Sequence, residues 1–434
     1  MRLTKLKDAF VRSAAYERRF LVKNPWDLAM VFWIPLATVL LIWWIFSQIQ
    51  ITDLPIGVID NDRGPVANTA LRYLEANPNL TVKQLYHTPA AAKAAILQRD
   101  IYAVVIIPED FSRNILLSKP APIVLQVNAQ YGTHSGIIQT SVQSVIGTLS
   151  AGVEMKRLVK QGMAPSQAAI AYSPISIQRI SLFNAATDYQ QFLASTVIPA
   201  LLHILAMVIG ATTIGRELRD KRIGRWYHFI NGSHVYLTLP PKDDQPNNDS
   251  QPSPLDNVSA SQNQAPEEVS IPVLVFGLLG KYFWPLLAYS IWSILALWLA
   301  APQQSIAISA LMVTYISLIL LMMLSFWLGA IFTLGSFSLR MGLSATGFIS
   351  APSYAFAGVT FPYVAISKNA QHWSDVLPLT HYLKLHIAQL QMQAPVIISL
   401  PIVYGLTLAT LVTLYLTALL SKRALAHPER WGAR

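Results

Sequence analysis

The chain has no cysteine among its 434 residues, and in five long and strongly apolar stretches it has no charge at all. The first absence excludes disulfides, iron–sulfur clusters and thiolate zinc sites, without fixing a compartment. The second says more. Asp, Glu, Lys and Arg are missing from residues 28–52, 189–215, 282–339, 341–367 and 385–421. A charge at the centre of a lipid-spanning helix costs about 2.5–3.5 kcal/mol, and a span needs roughly 20 apolar residues. These runs therefore read as membrane spans, not as core helices of a soluble domain. The run 282–339 holds two spans, with a break at Ala301-Pro302-Gln303-Gln304. The pattern predicts six spans, near 29–49, 191–214, 282–300, 306–334, 342–360 and 396–420.

What charge there is crowds the flanks of those spans. Only 12% of residues are charged and 53% are hydrophobic, against about 25% charged in soluble domains. The net charge is +10, with seven Lys or Arg before the first span, six in 216–242 and four in 422–434. The positive-inside rule then places both termini and the 215–270 connection in the cytoplasm, which an even number of spans also requires. The basic balance thus reflects topology and contact with anionic lipid head groups, not a nucleic-acid partner. The N-terminal region is too long, and lacks the small-residue cleavage site, for a cleaved signal peptide. Residues 5–24 instead predict an amphipathic helix on the inner surface, with Leu6, Phe10, Ala14 and Phe20 inward and Lys7, Arg18 and Arg19 outward.

Two insertions interrupt the spans. Residues 52–188 follow the first span and fall on the outer side. Short β-branched or aromatic runs predict strands at Ile56–Asp60, Thr81–Tyr86, Tyr102–Pro108 and Ile123–Val127. Helical stretches at Val66–Asn77, Pro89–Gln98 and 134–161 alternate with them, so a mixed sheet with helical cover is expected. The turn Asp60-Asn61-Asp62-Arg63-Gly64-Pro65 lacks the spaced ligands and closing Glu of a calcium loop. It reads as a strand end feeding a helix, with Pro65 preset for the first turn. The second insertion, 237–270, is rich in proline and poor in apolar residues. It cannot bury enough surface to offset ordering entropy and reads as a disordered loop.

Signs of catalysis are absent from the sequence. It has no Gly-x-Ser-x-Gly elbow, no His-Glu-x-x-His and no Gly-x-x-x-x-Gly-Lys-Ser/Thr loop. The chain is therefore read as a non-enzyme, and any energy for work must come from a partner. His381 and His386 are five apart and share no helical face, so they do not suggest a metal pair. His203 lies inside the second span, an expensive place for a polar residue. It either lines a translocation path or hydrogen-bonds a neighbouring helix. Residues 215–226, Gly-Arg-Glu-Leu-Arg-Asp-Lys-Arg-Ile-Gly-Arg-Trp, continue from that span without a spacer. Arginines and Trp226 suit a membrane-surface anchor. Glu217 and Asp220 do not, and suit a short helix presented to another protein.

That segment resembles the Gly-Arg-Glu-Leu-(Arg/Lys)-Asp sequence after the second span of type-2 permeases of ATP-binding-cassette (ABC) exporters. In that family it forms the coupling helix seated on the ATPase; the usual continuation, Gly-Thr, is replaced here by Gly224-Arg225 after two extra residues. Pro272, Gly280-Lys281 and Pro285 are similar to the lead-in helix and Gly-Lys motif of the third span. Ala357-Gly358-Val359-Thr360-Phe361-Pro362, with Trp373 and Leu377-Pro378-Leu379-Thr380-His381-Tyr382, resembles the family's Gly-x-x-Phe-Pro…Pro-Leu-x-x-Tyr signature of re-entrant outer helices. Val58–Arg63 and Val105–Ser112 look like strand ends of the outer domain in its drug-efflux branch.

The resemblance implies an α-helical polytopic membrane protein with six transmembrane helices and an inserted extracytoplasmic α/β domain. Its parts would be a cytoplasmic amphipathic helix (1–28), a first span (29–51), the periplasmic domain (52–188), and a second span with the coupling segment (189–236). The loop 237–270, spans three to six with the re-entrant stretch 361–383 (271–421) and a cytoplasmic tail (422–434) follow. It further implies an inner-membrane efflux permease for a hydrophobic or amphipathic substrate, paired with a second permease, an ABC ATPase and a periplasmic adaptor. ATP and Mg²⁺ would be bound by the ATPase and no cofactor by this chain. Arg216, Glu217, Arg219, Asp220, Arg222 and Gly224 would couple to the ATPase. Gly358, Phe361, Pro362, Pro378 and Tyr382 would shape the outer segment. The alternative is a membrane-anchored receptor or assembly scaffold that uses its outer domain without transport.

Two expectations follow directly. Reporter fusions at Gln161 should read outside, and those at Asn248 and His427 inside; an inside signal at Gln161 would overturn the span assignment. Deleting Lys242–Pro266 should leave expression and transport nearly unchanged, whereas loss of folding would reveal a packed element there.

Overall fold

A computed structural model describes residues 2–47, 51–172, 182–183, 188–232, 269–300 and 306–432. Its packing divides into two units, one within residues 50–182, the other drawn from 1–49 and 183–434. The first is built on four strands, β1 (Leu54–Asp60), β2 (Leu80–Leu85), β3 (Ala103–Ile107) and β4 (Val124–Val127). Each lies within two residues of its expected range. Their order is β2-β1-β3-β4, with β1 parallel to β2 and β3 and with β4 antiparallel to β3. The central β1 and β3 are buried almost throughout, as strands covered on both faces must be. The cover includes Pro65–Glu75, Pro89–Leu97, Phe111–Leu116 and the 29-residue helix Gly132–Lys160.

The Asp60–Pro65 turn is closed by side chains, with no metal-ligand cluster among the described residues. Asp60 Oδ1 accepts from the amides of Asp62 and Arg63 at 3.0 and 2.9 Å. Asp62 accepts the Ser112 hydroxyl at 2.5 Å, and Ser112 Oγ in turn receives the Val66 amide at 3.2 Å. The helix N-terminus is thus capped by a serine distant in sequence, while Pro65 occupies its first turn as expected.

The second unit is helical. In chain order it contains α1 (Arg2–Lys23), α2 (Pro25–Ile45), α3 (Gln190–Arg219), α4 (Ile223–Asn231), α5 (Ile271–Lys281), α6 (Phe283–Ala300), α7 (Ile308–Ser336), α8 (Leu339–Ser350) and α9 (Ser353–Phe356). Then come α10 (Lys368–Val376), α11 (Pro378–His386) and α12 (Leu400–Leu425). Among the described residues, α2, α3, α6, α7 and α12 are long and apolar enough to cross a membrane. Helices α3 and α7 form the centre, with α8 and α12 packed on them. Their approach depends on two glycines: a Cβ at Gly329 would lie 2.0 Å from Met207 O, and one at Gly210 2.2 Å from Phe326 O. Small residues give membrane helices this backbone-to-backbone contact.

The expected span 342–360 needs correction. Helix α8 has 12 residues, about 18 Å at 1.5 Å per residue, short of the ~30 Å hydrocarbon layer. The helix stops at Ala351-Pro352 because Pro352 has no amide hydrogen to continue the ladder. The four-residue α9 follows, and Gly358 takes a left-handed φ of +78°. The N-terminal helix is also more embedded than an amphipathic surface helix. Its apolar face, including Leu6, Phe10, Ala14 and Phe20, packs against other helices, chiefly α5 and α4. The predicted break 301–304 and nearly all of the loop 237–270 lie outside the described residues.

Gly329→Val should abolish folded expression, because its side chain would displace the α3 backbone, whereas Gly335→Ala meets nothing within 4 Å. Gly335→Ala should raise stability, if anything, by up to about 1 kcal/mol. Thermal melts of the solubilised variants check both.

Candidate coupling site

Four charged side chains meet in the helical unit, all nearly inaccessible: Glu17, Arg216, Glu217 and Lys281, at 0%, 5%, 3% and 0% exposure. They come from α1, α3 and α5. Lys281 Nζ lies 2.8 Å from Glu217 Oε1 and 3.3 Å from Glu17 Oε2, so one ammonium bridges two carboxylates. The Arg216 guanidinium binds the other oxygen of Glu17, approaches Asp27 at 3.6 Å and stacks 3.8 Å over the Phe20 ring. Two buried cations and two buried anions balance. Such a set is tolerated only with this pairing, because desolvating an unpaired charge costs several kcal/mol.

The surrounding residues complete the packing. Tyr16 donates to Glu217 Oε2 at 3.3 Å, and burial together with the adjacent carboxylate pushes its hydroxyl well above the usual tyrosine range. It therefore stays a donor at any physiological pH. Trp226 is fully buried and donates its indole N–H to Ser13 Oγ at 3.0 Å. Lys281 follows Gly280, where a Cβ would stand 2.2 Å from Phe10 O. The Gly-Lys pair thus lets α5 touch α1 and then supplies the bridging cation.

The expected coupling residues separate into two groups. Arg216 and Glu217 face inward, so the expectation that the Glu217 carboxylate awaits a partner protein is corrected: Lys281 and Tyr16 of its own chain satisfy it. Gly224 is buried within α4, and Trp226 is no membrane-surface anchor. Only the turn between α3 and α4 is open. There Arg219 and Asp220 are exposed and pair at 2.8 Å, Lys221 takes a left-handed φ of +55°, and the half-buried Arg222 returns its amide to Glu217 O at 2.7 Å. The turn stands directly on the cluster.

The remaining candidates lie elsewhere. His203 Nδ1 sits 2.7 Å from Ser325 Oγ, whose own hydroxyl donates to Leu321 O. This is the interhelical hydrogen bond between α3 and α7, the blander of the two readings of His203. Gly358, Phe361 and Pro362 form the bend between α9 and α10, with Phe361 exposed. Pro378 opens α11, and the buried Tyr382 hydroxyl lies 3.1 Å from His386 Nδ1.

Sequence reasoning missed Glu17. Its signal was an acid within the inward stripe of α1, one turn from Ser13 and Phe20, where the helix is otherwise apolar. Lys281→Met should leave two carboxylates buried without a cation and destabilise the fold by about 3–5 kcal/mol. Lys281→Met combined with Glu217→Gln should cost less than the two single changes summed. Thermal unfolding of the four proteins checks this; additive losses would mean that the pair does not interact.

No curated protein matches the chain. Residues 25–229 match the family model described as ABC-2 family transporter protein, a stretch from α2 through the α/β unit and α3 into α4. It includes Arg216, Glu217 and the open turn, and with the five apolar helices it makes the chain similar to ABC-2 family permeases.

Proposed function

We propose that this chain is the membrane-spanning half of an ATP-driven exporter that moves a hydrophobic or amphipathic substrate, drug or lipid-like, out of the cytoplasm or inner membrane. The match to the ABC-2 family over residues 25–229 supports an ABC ATPase partner and a second permease. The observation that carries the reading is the mounting of the 219–222 turn. It is the exposed tip of a span whose last turn is locked by buried ion pairs to two further helices. A push on the tip is thereby delivered to α1, α3 and α5 together. In this reading Arg219, Asp220 and Arg222 meet the ATPase, while Arg216 and Glu217 hold the lever. ATP and Mg²⁺ bind on the ATPase, and its closure shifts the spans between closed and outward-open populations.

The rest of the exporter is assigned on the same footing. The helical run from α8 through α9, kinked at Pro352, serves as the remaining crossing and gives six spans with both termini cytoplasmic. Gly358, Phe361, Pro362, Pro378 and Tyr382 shape the outer return, and His203 stands beside the path. The unit of residues 50–182 lies in the periplasm, where a periplasmic adaptor docks. Helix α2 leaves Trp26, Trp33, Leu40, Leu41 and Trp44 exposed, a surface suited to lipid and to the second permease.

Because the chain lacks cysteine, Lys221→Cys introduces its sole thiol. A bismaleimide should cross-link it to the co-purified ATPase, and Glu217→Cys, facing inward, should not react. Inside-out vesicles holding both subunits should take up Hoechst 33342 or an NBD-phospholipid only with ATP. Cross-linking absent at 221 and transport absent for both probes would overturn the proposal.

A further inference from the structure

The open turn is braced from a second side. Past α12 the chain forms a short 3₁₀ turn, Pro428–Arg430, and then reaches Trp431 and Gly432. Trp431 is 4% exposed, and its indole N–H donates to Ala424 O at 2.7 Å, tying this segment to the end of α12. Arg430 stacks 4.0 Å over the Phe337 ring and Arg423 5.4 Å over it. Phe337 is buried at the corner between α7 and α8, in the left-handed region at φ +57°. Beyond Trp431, the Gly432 amide donates to Leu218 O at 3.0 Å. Leu218 O also accepts the Lys221 amide at 3.2 Å, so the tail residue shares the carbonyl that closes the turn. Gly432 itself has φ +79°, and a Cβ there would lie 2.9 Å from Lys221 Cε and 3.5 Å from Arg219 O. A side chain there would strain the backbone at this positive φ and displace the Lys221 side chain.

These contacts join three places far apart in sequence: the end of α12, the α7–α8 corner and the turn after α3. Each anchor uses a different interaction. An indole hydrogen bond fixes α12, cations over an aromatic ring fix the corner, and a backbone hydrogen bond fixes the turn. The turn holds a non-glycine residue, Lys221, in the left-handed region, a conformation that persists only when its surroundings hold it. We propose that Arg430, Trp431 and Gly432 are positioning residues for the 219–222 turn. They hold it in the shape that meets the ATPase and link its displacement to α7, α8 and α12, helices that the buried ion cluster does not reach. This inference rests on reading that turn as the ATPase contact.

The test uses the full chain with its ATPase in lipid nanodiscs. Trp431→Ala and Gly432→Val remove the brace, whereas Trp431→Phe keeps the aromatic packing and loses only the indole N–H. Arg219→Ala/Asp220→Ala alters the tip itself. Hydrogen exchange of the amides of residues 219–222 should speed up by about fivefold or more in Gly432→Val and Trp431→Ala, the factor for one lost hydrogen bond of ordinary strength. Exchange within α2 and within the sheet of residues 50–182 should not change. Affinity for the ATPase should fall in the same two variants and be largely retained in Trp431→Phe. A general loss of folding would instead raise exchange throughout and lower the melting temperature of the α3–α7 core. Unchanged exchange at 219–222, or faster exchange with undiminished ATPase affinity, overturns the inference. If Arg219→Ala/Asp220→Ala also binds the ATPase normally, it is the coupling assignment that has failed.

Discussion

One ammonium group between two buried carboxylates organises the helical unit. Lys281 reaches Glu217 and Glu17 from α5, and Arg216 takes the remaining oxygen of Glu17. No member can leave without stranding an opposite charge in a region with almost no water access. The desolvation penalty makes such a cluster a poor source of net stability and a strong determinant of register. In the observed docking of helices α1, α3 and α5 all four charges find partners. The glycine at 280 and the Trp226–Ser13 hydrogen bond refine that docking and add no new direction to it.

The cluster is also a mechanical joint. A packed, charge-matched junction moves as a body or switches to another discrete arrangement, because partial displacement leaves buried charges poorly paired. The exposed turn stands on this joint. The 430–432 brace adds the end of α12 and the α7–α8 corner. On the proposed coupling role, a small displacement at Arg219–Arg222 would be shared among α1, α3, α7 and α12. The close approaches of Gly210 to the Phe326 backbone and of Gly329 to the Met207 backbone keep α3 and α7 from sliding independently.

Much of this was legible in the sequence because it follows from local chemistry. Charge-free runs mark the spans since a charge in lipid is expensive wherever the helix packs. Short β-branched or aromatic strands and a Pro at a helix start were readable since local backbone sterics favour them over a few residues. The segment 216–222 stood out because acids at the end of a span contradict a simple membrane anchor. Its meaning was misjudged at Glu217. A carboxylate beside a bilayer needs a cation, and the sequence does not say whether that cation belongs to a partner or lies 64 residues later at Lys281. The kink at Pro352 was readable in principle, but the surrounding uncharged run 341–367 argued for an unbroken span.

By itself the sequence determined the class of molecule: a chain with long apolar helices, an α/β insertion, basic flanks and no P-loop motif. Those properties are sums over short windows, and solvent and lipid read them residue by residue. Only the tertiary structure decided which charges are exposed. Glu17, Arg216, Glu217 and Lys281 look like surface residues one at a time, and three helices must meet before any of them can be buried. The same holds for Ser112 capping a helix that begins at Pro65 and for Gly432 closing on Leu218. In each case the partner is remote in sequence, and pairing depends on the long-range packing that brings the two groups within hydrogen-bonding distance.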